Sequence, residues 1–325
     1  MKLKFLLVML MAVVAAIASA GTLVVTSPTD GAFLGTSNTL SFQVTGATVE
    51  VTIGVDIDSG QGVTHIEQRF TPDNDGKINS SIPLNFSASS PEGPYTITVT
   101  ATEPGNSYNT VVLHVTVDVT KPKFYDLNPI NNSYVKGPIV PIIVKVVDAN
   151  FKEYRVQINN QDIPGNTGTT LDGNSSFTVN WNTAGILTDG TQTITITTKD
   201  QANNENTSTL SVTLDRIAPV TTIQFPRSDT PVRPRSDVSV VIDVSDSSSS
   251  SVDVTGIDVV IRDMNDNFML RVPRLSFAAQ GSTSVRWTGR ILKTVTLPKN
   301  FKVIATTTDR AGNVGVPQTT IAHVG

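Results

Sequence analysis

The stretches Val115-Thr-Val-Asp118-Val-Thr-Lys-Pro122 and Val212-Thr-Leu-Asp215-Arg-Ile-Ala-Pro219 decide how this chain is built. Each leaves an alternating apolar run, passes an aspartate and meets a proline before the next alternating run begins. Proline offers no N–H to a sheet ladder, so pairing stops there and each stretch reads as a joint. The two aspartates stand 97 positions apart, close to the roughly 100 residues of one small β-sandwich. This period divides the chain into residues 1–20, 21–118, 119–215 and 216–325.

Working outward from the joints, the register recurs. Gly93 and Gly190, Glu103 and Asp200, and Leu84 and Trp181 are separated by the same 97 positions. The last segment keeps the plan with insertions: Trp287 stands for Trp181, and Asp309-Arg-Ala-Gly-Asn313 for Asp200-Gln-Ala-Asn-Asn204, a step of 109 positions. The Ser247–Ser251 run is one place for the extra length and reads as a solvated loop. Tyr95–Ala101, Thr191–Thr197 and Phe301–Thr307 alternate apolar and polar residues, the pattern of strands with one buried and one wet face. No stretch sustains an apolar period of 3.6, so the fold class is all-β.

Trp181-Asn-Thr-Ala-Gly-Ile-Leu-Thr-Asp-Gly190, the alternating strand after it, Asp200-Gln-Ala-Asn-Asn204 and the run into Asp215-Arg-Ile-Ala-Pro219 resemble the bacterial Ig-like repeat. Asp309-Arg-Ala-Gly-Asn313 matches that family's hairpin best. Residues 21–118 depart most, with Glu103-Pro-Gly-Asn106 at this position and no tryptophan. The resemblance implies three tandem Ig-like antiparallel β-sandwiches serving in extracellular scaffolding, adhesion or polymer binding, without catalytic residues. Independently of it, the two tryptophans suit inter-sheet cores, Asp189-Gly190 suits a tight turn, and Gly312 takes the permissive position of a hairpin.

The N-terminus carries a targeting pattern. Met1-Lys-Leu-Lys4 is cationic, Phe5–Ile17 is apolar, and Ala18-Ser-Ala20 offers the small residues of a cleavage site, so residues 1–20 read as a cleaved signal peptide. The apolar run is shorter than the ~20 residues of a membrane span, and no later run is long enough. With no cysteine in the chain, neither disulfides nor a lipidated cysteine can contribute. Attachment to a cell, if any, is then noncovalent.

Catalysis has little to stand on. The three histidines, His65, His114 and His323, are scattered, and no serine elbow, HExxH helix or phosphate-cradling loop occurs. The expectation is a protein that is not an enzyme. Calcium is the candidate cofactor. Asp118 and Asp215 sit at the joints, and Asp263-Met-Asn-Asp266-Asn267 resembles the junction motif of cadherin-like domains, although as a polar turn between two strands it explains itself without metal. No stretch has the spacing of an EF-hand loop.

Charge is unevenly divided. Residues 21–118 hold ten acidic and two basic side chains, net −8; residues 119–215 are net −2; residues 216–325 are net +4, with ten arginines among thirteen cations. Arginine forks match carboxylates and phosphates, so Arg227, Arg233 and Arg235 are the candidate contacts to a protein or an anionic envelope polymer. Export and an acidic total argue against nucleic acid. The expected role is an extracellular structural spacer or adhesion module, secreted or noncovalently held at the cell surface. The alternative is a polysaccharide-binding accessory to a secreted enzyme. Asn-x-Ser/Thr triplets at Asn79, Asn85, Asn131, Asn174 and Asn206 follow from a composition rich in those residues.

Overall fold

The computed structural model describes residues 19–169, 174–246, 250–276 and 283–325. The signal-peptide reading of residues 1–20 lies almost wholly outside them. Among the described residues the regular structure is β apart from one turn of 3-10 helix, Val254–Gly256, and no helix is long and apolar enough to cross a membrane. The chain divides into two compact units: Met1–Lys121 with Lys199–Asn204, and Pro122–Thr198 with Glu205–Gly325.

In the first unit, Thr22–Ser27, Ser37–Thr45 and Ile78–Asn85 form a three-stranded antiparallel sheet. A second sheet runs Phe33–Leu34, Val111–Val117, Gly93–Thr102, Val51–Asp58 and Val63–Phe70. Alternation explains the pairing. Val51, Ile53, Val55 and Ile57 are buried while the residues between them face outward, and they meet Phe42, Ile82, Leu84, Ile97 and Val99 in one core. The edge strand Val63–Phe70 has no such alternation and buries little.

The second unit repeats the architecture twice. Lys123–Asn128, Ile139–Val147 and Asn174–Asn182 face a five-stranded sheet of Ser133–Val135, Glu205–Leu214, Gly190–Asp200, Phe151–Ile158 and Gln161–Thr169. Farther along, Val220–Phe225, Val238–Ser245 and Ser284–Ile291 face Phe268–Arg271, Asp258–Arg262, Asn300–Thr306 and Gln318–His323. Each sandwich has its own apolar cluster, one around Trp181, Phe151 and Ile194 and one around Trp287, Phe301 and Ile242. In all three sandwiches a short segment after the first strand runs parallel to the last, at Leu34 with Val117, Val135 with Leu214, and Val232 with Val324. A three-stranded sheet against a sheet closed by that parallel contact is the Ig-like arrangement.

Both tryptophans fill cores, Trp181 at 1% exposure and Trp287 at 3%. Trp287 lies over Gly289, where an added Cβ would come within 2.4 Å of the indole, so that glycine makes room for the ring. Two sequence readings are corrected. Gly190 takes the positive φ, +133°, that the turn reading asks of it, but it opens a strand; the Asp189 carboxylate is occupied by Arg216, accepting from its backbone N and its Nε at 2.7 Å each. Of the serine run, Ser250 and Ser251 are buried rather than solvated, because their backbone is bonded into the joint. Residues 247–249 lie outside the described residues.

Candidate metal centre

Asp215 follows directly on the strand Glu205–Leu214, and its own N–H donates to the Val135 carbonyl at 2.9 Å, which fixes its backbone. Its Oδ1 accepts from Ile217 N at 3.0 Å, an Asx turn that directs the chain toward Pro219. Its Oδ2 accepts from Ser250 N at 2.8 Å. Asp309 opens the turn at 309–313. Its two carboxylate oxygens accept from Asn313 N at 2.8 Å and Asn313 Nδ2 at 2.7 Å, Gly312 takes φ +82°, and Asn313 Nδ2 also reaches the Asp215 carbonyl at 2.9 Å. Asp246 follows the strand Val238–Ser245, with its N–H on Thr283 O at 2.7 Å.

The result is a knot of three carboxylates. One oxygen from each of Asp215, Asp246 and Asp309 lies within 4.8 Å of the others, and none of the three residues exceeds 2% exposure. Burial pushes the Asp309 carboxyl above its ordinary range; the Asn313 bonds oppose that, and the Asp215 and Asp246 charges add to it. Removing charge from water is costly unless an opposite charge or a metal compensates, and like charges held together raise each other's pKa. No lysine or arginine forms an ion pair with Asp215 or Asp309 among the described residues. Ser250 is fully buried as well, and its hydroxyl has no hydrogen-bond partner among the described residues. The available donors are carboxylate, hydroxyl and carbonyl oxygens, with no nitrogen or sulfur ligand. Such a set suits a hard divalent cation rather than zinc or copper.

The first unit contains the same clamp one repeat earlier. Asn204 N and Nδ2 donate to Asp200 at 2.8 and 2.7 Å, and Asn204 Nδ2 reaches the Asp118 carbonyl at 2.8 Å. Asp118 Oδ1 accepts from Thr120 N at 3.1 Å. Burial raises the Asp200 carboxyl against the Asn204 bonds, and the Asp118 charge adds to the rise.

The other sequence candidates are placed differently. Asp263 lies in an exposed hairpin turn, where Asn265 N, Asn267 N and Asn267 Nδ2 donate to its carboxylate at 2.7–2.9 Å. Those bonds, the Asn267 side chain foremost, hold its carboxyl below the ordinary range. Asp266 pairs with Lys302 at 2.7 Å. Neither joins the Asp215 cluster. Arg227 is occupied by Gln224, through Nε to its carbonyl at 3.0 Å and through a terminal nitrogen to its amide oxygen at 3.1 Å; Arg233 and Arg235 line a groove. Sequence reasoning missed Asp246 as a candidate ligand and read Asp309 only as a turn residue. The signal for Asp246 was the repeat itself, since Asp148 precedes it by 98 positions.

Glu103 shows what replaces the aspartate in the first sandwich. Its buried carboxylate accepts from Thr48 N at 2.7 Å, Thr48 Oγ1 at 2.6 Å, Val49 N at 2.8 Å and Asn106 Nδ2 at 2.9 Å, and from the Tyr108 hydroxyl. Burial alone would raise its pKa, but these donors outweigh it and hold it at about 2. A depressed carboxyl stabilises the fold above its unfolded value and loses that contribution as pH falls through the folded value. The first unit should therefore weaken as pH drops from about 4.5 toward about 2. Glu103→Ala should cost about 2–4 kcal/mol at neutral pH, since it strands several buried donors, and should flatten that acid limb. Urea melts of both forms across this range check it.

No family model and no curated protein matches the sequence. Solved structures resemble its fold. A three-Ig segment of titin is 14% identical over 91% of this chain and 94% of its own, with a TM-score of 0.37. The fibronectin(III)-like modules of Clostridium thermocellum CbhA are 10% identical over 62% and 93%, also at 0.37. A 1.5-MDa bacterial ice-binding adhesin structure is 16% identical over 94% and 96%, at 0.32. In its sheets and strand order, the chain is built of tandem Ig-like β-sandwiches.

Proposed function

We propose that this is an exported, non-catalytic protein of three Ig-like modules, 21–118, 119–215 and 216–325, acting as an extracellular spacer or adhesion module at the cell envelope. The observation that carries the reading is the way the joint at 215–219 is held. Arg216 turns back onto the second sandwich, donating to Asp189 and to the carbonyls of Thr183 and Ile186 at 2.9 Å. Lys136 donates to the Gly312 carbonyl, and Arg310 donates to the Tyr134 hydroxyl at 2.8 Å while its guanidinium stands 4.4 Å from that ring's centre. Flexible linkers leave their polar groups to water; here both flanking sandwiches bond the joint. A fixed joint serves a molecule whose task is to set spacing or carry load.

A hard divalent cation, calcium by its oxygen donors, completes this joint at Asp215, Asp246 and Asp309, with Asp118 beside Asp200 as the counterpart one repeat earlier. The orphaned Ser250 hydroxyl supports the first of these. The exposed hairpin at Asp263 and Asp266 is the weaker candidate because amides and Lys302 already fill it. Attachment is noncovalent, to an acidic protein or an anionic polymer, through the cations of residues 216–325, with Arg227, Arg233 and Arg235 the first to test.

A second reading, a polysaccharide-binding accessory, is favoured by Tyr125. That ring is 79% exposed beside a 360 Å³ groove lined by Lys145, Val147 and Ser176. Titration with polysaccharide separates the two. For a spacer, fluorescence of the buried tryptophans stays unchanged and calorimetry shows no heat. An accessory gives a binding isotherm that Tyr125→Ala abolishes, and that result would overturn the spacer reading.

A further inference from the structure

The thirteen cationic side chains of residues 216–325 are not equivalent. Five are ion-paired, and four more donate to neutral oxygens, Arg227 among them. Among the described residues the remaining four, Arg233, Arg235, Lys293 and Lys299, have side chains with no hydrogen bond or ion pair, and they gather at one place. Arg233, Arg235 and Lys293 line a groove of about 280 Å³. The Lys299 carbonyl accepts from the N–H of Val324, another lining residue, at 2.8 Å. The nearby acid, Asp237, is engaged by Lys293 N at 2.8 Å and by Arg290 at 3.8 Å. Long cationic side chains left unpaired around one cavity form a focused positive field, which gathers anions.

The walls say which kind of anion. Val232, Pro234, Leu292, Val295, Leu297 and Val324 supply aliphatic surface, and among the described residues no aromatic side chain lines the groove. A sugar ring packs its C–H face on aromatic platforms; carboxylates flanked by aliphatic side chains suit cationic forks over an aliphatic floor. The chain itself carries such a surface. Six of the ten acidic side chains of residues 21–118 fall between positions 50 and 75. Asp56 and Glu67, on the paired strands Val51–Asp58 and Val63–Phe70, are about half exposed. Val63, directly opposite Asp58, is 61% exposed. His65 stands between Asp56 and Glu67, its Nδ1 2.6 Å from the first carboxylate and its Nε2 3.6 Å from the second.

We propose that the groove at Arg233, Arg235 and Lys293 of one copy seats the acidic hairpin at 56–67 of a second copy. This rests on the reading of residues 216–325 as the surface for an acidic partner, and names that partner. The two patches differ, so the contact is heterologous and leaves the pair with one free groove, on one copy, and one free hairpin, on the other; association then continues beyond the pair, into an open chain or, where the rotation closes, a ring. Its strength is electrostatic and therefore falls as salt screens exposed charges.

Sedimentation velocity of the purified protein over a concentration series, at low and at high salt, tests this. The expected result is concentration-dependent growth at low salt with an apparent Kd at least about tenfold weaker at high salt. Arg233→Gln/Arg235→Gln/Lys293→Gln and Asp56→Asn/Asp58→Asn/Glu67→Gln should each stay monomeric with unchanged melting curves. Mixed, the two variants should form a 1:1 complex that does not grow, since each retains one patch. A single monomer at every concentration in low salt overturns the proposal, as does growth that survives the arginine and lysine changes. Polygalacturonate bound through the groove without self-association also overturns it, while leaving the attachment reading intact.

Discussion

Trp181→Ala is expected to cost the second sandwich about 3–5 kcal/mol. The indole is 1% exposed, lies opposite Val140 in the sheet and packs with Phe151, Val179, Ile194 and Ile196, so truncation removes apolar contact and leaves a cavity that rigid sheets cannot close. A domain has only about 5–15 kcal/mol in total, and the loss brings this sandwich near unfolding. Because the second unit contains two separate cores, unfolding should split into two steps. The remaining tryptophan, Trp287, then reports the other sandwich: far-UV circular dichroism shows an early transition that tryptophan fluorescence does not follow. A loss below about 1 kcal/mol, or one coincident transition by both probes, would contradict separate tryptophan-centred cores.

The second large effect is that of a divalent cation. Calcium at 100 times its Kd should stabilise the second unit by about 2.7 kcal/mol, if it binds only the folded form. The signature is a change of sign in Asp246→Asn. In chelator this variant should be as stable as the parent or more so, because one of three buried like charges has gone. With calcium it should lose the gain. Asp263→Asn, in the exposed hairpin, should respond to calcium as the parent does. Thermal melts and calorimetric titration read both. A parent melting temperature unmoved by calcium, or a full calcium gain in Asp246→Asn, would remove the cation from the account.

What the sequence disclosed follows from how local each signal is. Alternation places Ile53, Ile97 and Ile194 indoors because a strand's faces repeat every two residues, and the repeat register carries Trp181 to Trp287. Asp118 and Asp215 stood out because the prolines after them mark joints. Asp246 was not singled out because its role depends on closure across 31 and 63 positions, to Asp215 and Asp309, and no local spacing records that. Asp189 misled for the same reason. Beside Gly190 it reads as turn chemistry, yet its carboxylate serves Arg216, 27 residues later. The serine run reads as solvent-facing by composition, while Ser250 is drawn inward by its N–H bond to Asp215. The unpaired state of Arg233, Arg235 and Lys293 was likewise invisible, since pairing depends on where the aspartates fold.

The most direct test of the central claim is fractionation of the native host, blotting culture medium and envelope before and after washes with a chelator and with high salt. The account predicts retention on the envelope, with release by chelator if a cation holds the protein in place, or by salt if charge does. Recovery entirely in the medium would contradict an envelope spacer and favour a freely secreted binding accessory.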